Sequence, residues 1–240
     1  MERRSVLRMA GIAAVLATGS APAVQTQPAV RWRLASSFPE SLDTIYGAAE
    51  VFAQKARQLS GGRFEVAVHA AGKLMPAFGV VDGVQRGAVE AAHTAPYYFF
   101  DKDETFAIGG AIPFGLNSRQ MSAWTYEGNG LRLMREFYAH YGLVSFPCGN
   151  TGAQMGGWMR KEIRSAQDLK GLKFRVGGFA AKVFERLGAV ALNLPGGDIY
   201  QALEDGSIDA AEWIGPYDDQ KLGFNKVAPY YYYPGWWAGG

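Results

Sequence analysis

The sequence predicts an α/β fold with mixed or parallel sheets, arranged as two lobes of related build. Strand-like and helix-like periodicities take turns along the chain, which is the pattern of α/β layers. A helix, glycine and strand unit occurs twice, at corresponding points of that rhythm. The chain of 240 residues is 48% hydrophobic, enough for one large or two small cores.

Val30, Trp32 and Leu34 alternate with Arg31, Arg33 and Ala35, predicting a strand that runs into the loop Ser36-Ser37-Phe38-Pro39. Asp43 is placed to cap a helix whose apolar face is Ile45, Ala48, Ala49, Phe52, Ala56 and Leu59, stopped by Gly61-Gly62. Phe64, Val66 and Val68 alternate as a second strand. The pattern then predicts a helix near Ala77 to Arg86, a short strand from Ala88 to Ala92 and one long helix from Asn117 or Ser118 to Tyr141. Apolar strands follow around Leu143 to Phe146, Gln154 to Met159 and Leu172 to Val176, then a helix from Ala180 to Leu187 and a strand from Val190 to Leu194.

The repeated unit reads Gly87-Ala88-Val89-Glu90-Ala91-Ala92 with Pro96-Tyr97 beyond, and Gly206-Ser207-Ile208-Asp209-Ala210-Ala211 with Pro216-Tyr217 beyond. Each glycine is expected to end a helix in a left-handed cap, and Val89 or Ile208 to point into a core. Ligands in open α/β sheets sit beyond the carboxyl ends of strands, so His93 to Tyr97 and Glu212 to Tyr217 are the candidate regions.

Composition excludes several classes. The first 23 residues hold Arg3, Arg4 and Arg8 against Glu2, which accounts for the whole formal charge of +2, so the remainder carries no basic footprint for nucleic acid. Cys148 is the only cysteine, which excludes an internal disulfide and any multi-thiolate zinc site. Residues 1–23 read as a secretory signal: charged start, apolar stretch from Met9 to Ala17, and an end at Ala21-Pro22-Ala23. Arg3-Arg4 gives it a twin-arginine look, with an ordinary Sec signal as the alternative. Nothing later approaches a membrane span, so a periplasmic, non-spanning protein is expected.

The signatures GxSxG, HExxH, GxxxxGK[ST] and GxGxxG are absent. His69, His93 and His140 lie far apart; His140 reads as a helix-dipole partner, and His93 as either a structural histidine or a ligand contact. Gly177-Gly178 joins a strand to a helix as an anion-binding or a plain tight turn. The chain does offer groups that recognise a carboxylate. Arg175 near a strand end has the fork geometry for it, and Glu212 with Trp213 ends the second repeat among small and apolar residues, where a desolvated carboxylate suits a cation. Asn150-Thr151-Gly152-Ala153-Gln154 supplies two amides on a turn, as ligand contacts or as caps.

The segments Asp168 to Val176, Leu194 to Leu203, Gly206 to Trp213, Ala95 to Phe99 and Asn150 to Trp158 resemble the extracytoplasmic solute-binding proteins of tripartite ATP-independent periplasmic (TRAP) transporters. The likeness is greatest to the branch that binds 2-oxo acids, lactate and similar monocarboxylates. The resemblance implies a two-lobe clamshell, like other periplasmic binding proteins, that delivers a small organic acid to a membrane permease without chemistry. It assigns Arg175 to the ligand carboxylate, Gln154, Glu212 and Trp213 to a metal ion (Trp213 through its carbonyl), and Tyr97 and Asn150 to the polar pocket. One bound cation, sodium or calcium, is thereby expected, with the TRAP membrane subunits as partners.

The expected layout is a signal peptide over 1–23, lobe I over 24–147, lobe II over 148–211 and a return segment over 212–240. Members of the family continue well past Tyr230 to Trp237, so the fold is expected to be incomplete at the C-terminus, with Tyr230 to Tyr233 and Trp236-Trp237 uncovered. An enzyme acting on a small hydroxy or oxo acid, with Glu212 or His93 as base, is one alternative. A ligand-sensing domain coupled to a receptor is the other.

Overall fold

A computed structural model describes residues 29–236 apart from residue 111. The expected signal peptide and residues 237–240 lie outside the described residues.

Two open sheets carry the chain. In the first, β1 (Val30–Ser36) lies between β2 (Phe64–His69) and β3 (Ala91–His93), all parallel. The second has five strands in the order β6-β5-β7-β4-β8, from β4 (Gly157–Met159), β5 (Lys173–Arg175), β6 (Val190–Leu192), β7 (Ala210–Ala211) and β8 (Tyr230–Tyr232). There β5 runs parallel to β6 and β7, whereas β4 is antiparallel to β7 and β8. The helices are α1 (Tyr46–Leu59), α2 (Val80–Gln85), α3 (Ser118–Tyr126), α4 (Gly130–Ala139), α5 (Gly178–Arg186), α6 (Gly196–Asp205) and α7 (Pro216–Leu222). The fold is α/β with mixed sheets and flanking helices, as expected.

The repeated unit has the predicted form. Gly87 (φ 68°) and Gly206 (φ 80°) take the left-handed conformation that closes a helix, and Val89 and Ile208 are buried. The larger core unites residues from both sheets, among them Ala35, Val89, Tyr98, Ile208, Ala211 and Trp213. A smaller core beneath β5 and α5 contains Met159, Phe174, Val176 and Phe184.

Several expectations change. The long helix is broken between α3 and α4, because Gly128 and Gly130 back onto Trp124, where a Cβ on either would come within 2.8 Å of the Trp124 carbonyl oxygen. The apolar run 143–146 forms no strand, and Val144 and Phe146 are exposed. The strand expected from Gln154 is regular only over Gly157–Met159. The strand expected over Ala88–Ala92 starts three residues later, at Ala91, because Ala88 and Val89 fold back onto the Gly83 carbonyl. Asp43 does not cap α1, whose N-cap position is Ile45; it meets Tyr217 (3.1 Å) and Lys221 of α7. The apolar face of α1 is only partly covered, with Phe52 and Leu59 exposed. In β8 Tyr230 is exposed and Tyr231 and Tyr232 are half-buried against β4; Tyr233 beyond it is exposed.

Candidate functional site

Three neighbouring strand ends build the site. Arg175 ends β5 opposite Leu192 of β6 and Ala211 of β7, so the residues just beyond, Asn193 and Glu212, emerge on either side of it. The Glu212 N–H donates to the Arg175 carbonyl at 2.9 Å, extending the ladder by one residue. Parallel pairing therefore puts a guanidinium, a carboxylate and an amide at one edge of one sheet.

Arg175 is fully buried, and so is Glu212 beside it. Its Nε donates to the Leu194 carbonyl (2.9 Å), and its Nη1 to the Glu212 carbonyl (2.6 Å) and to Glu212 Oε2 (3.2 Å). The guanidinium lies 4.8 Å from the centroid of the Trp213 ring. Burial opposes the charge on Arg175, but Tyr98, Tyr97 and Glu212 outweigh it, so its pKa is raised and it stays a cation. Trp213 is seated by Gly196, where a Cβ would come within 2.4 Å of the indole.

A turn after β3 brings the aromatic wall. Tyr97 and Tyr98 are buried with their rings edge to face at 4.9 Å, and burial pushes both phenols above their usual range. The pair Gly177-Gly178 makes room for this wall, since a Cβ on Gly177 would meet the Tyr97 ring at 2.9 Å. Asn193 Nδ2 donates to the Tyr98 carbonyl at 3.3 Å.

Four buried polar atoms around this point have no hydrogen-bond partner among the described residues: Arg175 Nη2, Trp213 Nε1, Tyr98 Oη and Asn193 Oδ1. Leaving a buried polar group unpaired costs about 1–3 kcal/mol. A concentration of such atoms at one strand edge marks a place where a polar ligand or ordered water would complete the hydrogen bonding.

The profile of the family described as bacterial extracellular solute-binding protein, family 7, matches residues 35–238. The chain belongs to that family. The monocarboxylate 2-oxoacid-binding periplasmic protein of Nostoc sp. is 49% identical over 247 residues, covering 100% of this chain and 68% of the relative. A TRAP transporter solute-binding protein of Bordetella bronchiseptica RB50, solved with copurified calcium and picolinate, is 51% identical with a TM-score of 0.86 over 89% of this chain. Another, from Pseudoalteromonas atlantica T6c with bound sodium and pyruvate, is 43% identical with a TM-score of 0.84, also over 89%. The chain spans 63% and 64% of those two solved chains. The family is one of solute-binding proteins rather than of enzymes, which goes against the enzyme alternative.

In this member of the family the expected site residues fall into two groups. Arg175, Glu212, Trp213 and Tyr97 converge as described. Gln154 is buried in the segment that leads into β4: Met155 N–H donates to the Ile214 carbonyl at 3.0 Å, setting Gln154 alongside the run after Glu212. Its Nε2 donates to Thr151 Oγ1 at 3.1 Å. Asn150 is exposed, and its Oδ1 accepts from the Gly152 N–H at 2.8 Å, so it caps the turn leading to Gln154. An open surface cleft lined by Asp43, Thr44, Gln54 and Cys148 contains none of these residues.

Sequence reasoning missed Asn193 and Tyr98. Asn193 was findable, being the first residue beyond a parallel strand adjacent to the one that ends in Arg175. Tyr98 carried no signal beyond its position next to Tyr97.

Proposed function

We propose that this chain is the solute-capturing component of a TRAP transporter, binding a small 2-oxo or 2-hydroxy monocarboxylate in the periplasm and presenting it to the membrane subunits. Its lobes are taken as residues 24–147 and 148–211, with 212–240 returning toward the first. The observation that carries this reading is the fully buried Arg175, held over the Trp213 ring at 4.8 Å, whose Nη2 has no acceptor among the described residues. A buried guanidinium with a donor to spare calls for an anionic oxygen acceptor, and a ligand carboxylate supplies one. Tyr97, Tyr98 and Asn193 close the pocket around the rest of the ligand.

The donor set also fits a single hard cation. Glu212 and Gln154 are buried side chains with oxygen ends, and the Trp213 carbonyl lies on the same run of chain. Among the described residues no group of three or more His, Cys, Asp and Glu is placed for a metal, so a mixed set of carboxylate, amide and carbonyl oxygens is what the site offers. Gln154, Glu212 and Trp213 would hold sodium or calcium, the ions named for the two solved relatives. The ion would offset the repulsion between Glu212 and the ligand carboxylate, about 4 kcal/mol at roughly 4 Å and an effective dielectric near 20. Asn150 acts through the turn that delivers Gln154.

A thermal-shift screen tests this reading. Pyruvate, lactate and larger carboxylates are added to metal-stripped protein with and without calcium or sodium. Pyruvate or lactate together with a cation is expected to raise the melting temperature, because a ligand that binds only the folded state stabilises it. No response to any small carboxylate under any ionic condition would overturn the reading.

A further inference from the structure

Asp219 is a buried carboxylate at 1% exposure with no part in the ligand contacts above. It lies on α7 and accepts four hydrogen bonds. Its Oδ1 takes the Ile214 N–H (3.0 Å) and the Gly215 N–H (3.1 Å), the two residues that follow Trp213. Its Oδ2 takes Trp158 Nε1 (2.8 Å) and the Tyr231 hydroxyl (3.2 Å). Trp158 belongs to β4 and Tyr231 to β8, paired in register, with rings stacked at 3.9 Å and 19°.

One carboxylate thus ties the chain leaving Glu212 and Trp213 to the strand that continues from Gln154. We propose that Asp219 is a positioning residue that fixes the Trp213–Gly215 run against β4, and so holds Gln154, Glu212 and the Trp213 carbonyl at the separation a cation needs. The two sides of Asp219 do separable work. Main-chain N–H groups need an acceptor at Oδ1, and an indole N–H needs one at Oδ2. Hydrogen bonds to an ionised group are shorter and stronger than neutral ones, which suits a carboxylate to this post.

The inference rests on the proposed cation and carboxylate function, so its test has one arm that needs no ligand. Amide hydrogen exchange at Ile214 and Gly215 is measured in the ligand-free parent, Asp219→Ala, Asp219→Asn and the double variant Asp219→Asn/Trp158→Phe. Calcium-dependent pyruvate binding is measured on the same proteins. Asp219→Ala is expected to speed exchange at both amides by about tenfold or more and to weaken the calcium-dependent affinity by about tenfold. Asp219→Asn keeps an oxygen for the two amides but turns its NH2 toward the Trp158 N–H, donor against donor. Its affinity is therefore expected to fall, and to recover in the double variant to within about threefold of the parent.

Exchange rates and affinity unchanged in a folded Asp219→Ala would overturn the inference. If Asp219→Ala does not fold, an Asp219→Asn variant with parental affinity, or a double variant that fails to recover it, overturns it equally. A parent that binds neither calcium nor pyruvate would sink the functional reading alone, and exchange at Ile214 and Gly215 would then decide the positioning role.

Discussion

The two repeated units end differently. At the end of β3, His93 is buried in a quiet setting: its Nδ1 meets Ser36 Oγ at 3.1 Å, Phe38 lies edge-on at 5.2 Å, and burial lowers its pKa to about 4. Beyond β7, Glu212 is buried against a charged Arg175, with unpaired polar atoms clustered around them. The difference follows from sheet position. β3 is an edge strand, whereas β7 lies between β5 and β4 and has a neighbour on each side to supply groups to its end. The same helix, glycine and strand device thus makes a wall in one sheet and the proposed binding site in the other.

The largest expected effect breaks the second end. Arg175→Ala should weaken pyruvate binding by about 2–5 kcal/mol, or roughly 30-fold or more, read by calorimetry. Arg175→Lys should not restore it, because an ammonium lacks the planar fork that makes three bonds here at once. Parental affinity in Arg175→Lys would show that charge alone suffices.

The first end should respond to pH instead. A histidine whose folded pKa is about 4, against about 6.5 unfolded, binds its proton preferentially in the unfolded chain. Its stabilisation is complete above about pH 6.5 and is lost as pH falls toward 4, by up to about 3 kcal/mol. His93→Gln should flatten that part of the stability profile measured by urea unfolding between pH 4 and 7. An unchanged slope would place the acid sensitivity elsewhere.

Gly196→Ala tests the packing behind the second end. A methyl group there has to displace the Trp213 indole, so overpacking should cost about 1–3 kcal/mol and lower ligand affinity with it, read by thermal melting and calorimetry on one preparation. The smallest effect belongs to Asn150→Ala, which removes one turn-capping hydrogen bond on an exposed loop and should cost about 1 kcal/mol or less of affinity.

Much of this was legible in the residues. Gly87 and Gly206 mark helix ends because only a residue without Cβ takes that conformation freely, and each is followed by an apolar residue that enters the core. Arg175, Glu212 and Trp213 were findable because they sit at strand ends. What stayed hidden depends on contacts distant in sequence. Asp43 has the chemistry of a helix cap, but α7, more than 170 residues on, takes it instead. Asp219 shows no pattern at all, since its partners come from Trp158, Ile214, Gly215 and Tyr231. The break between α3 and α4 had its signal in Gly128 and Gly130, outweighed by the apolar periodicity on both sides.

In the proposed site Glu212 and a ligand carboxylate share one pocket through a cation. Calorimetry of pyruvate binding to metal-stripped protein, in a buffer free of alkali and alkaline-earth ions and then with calcium or sodium restored, tests it most directly. Binding is expected to be weak without the ion and strong with it, and Glu212→Gln to lose that ion dependence. Equal affinity with and without the ion, in parent and variant alike, would contradict it.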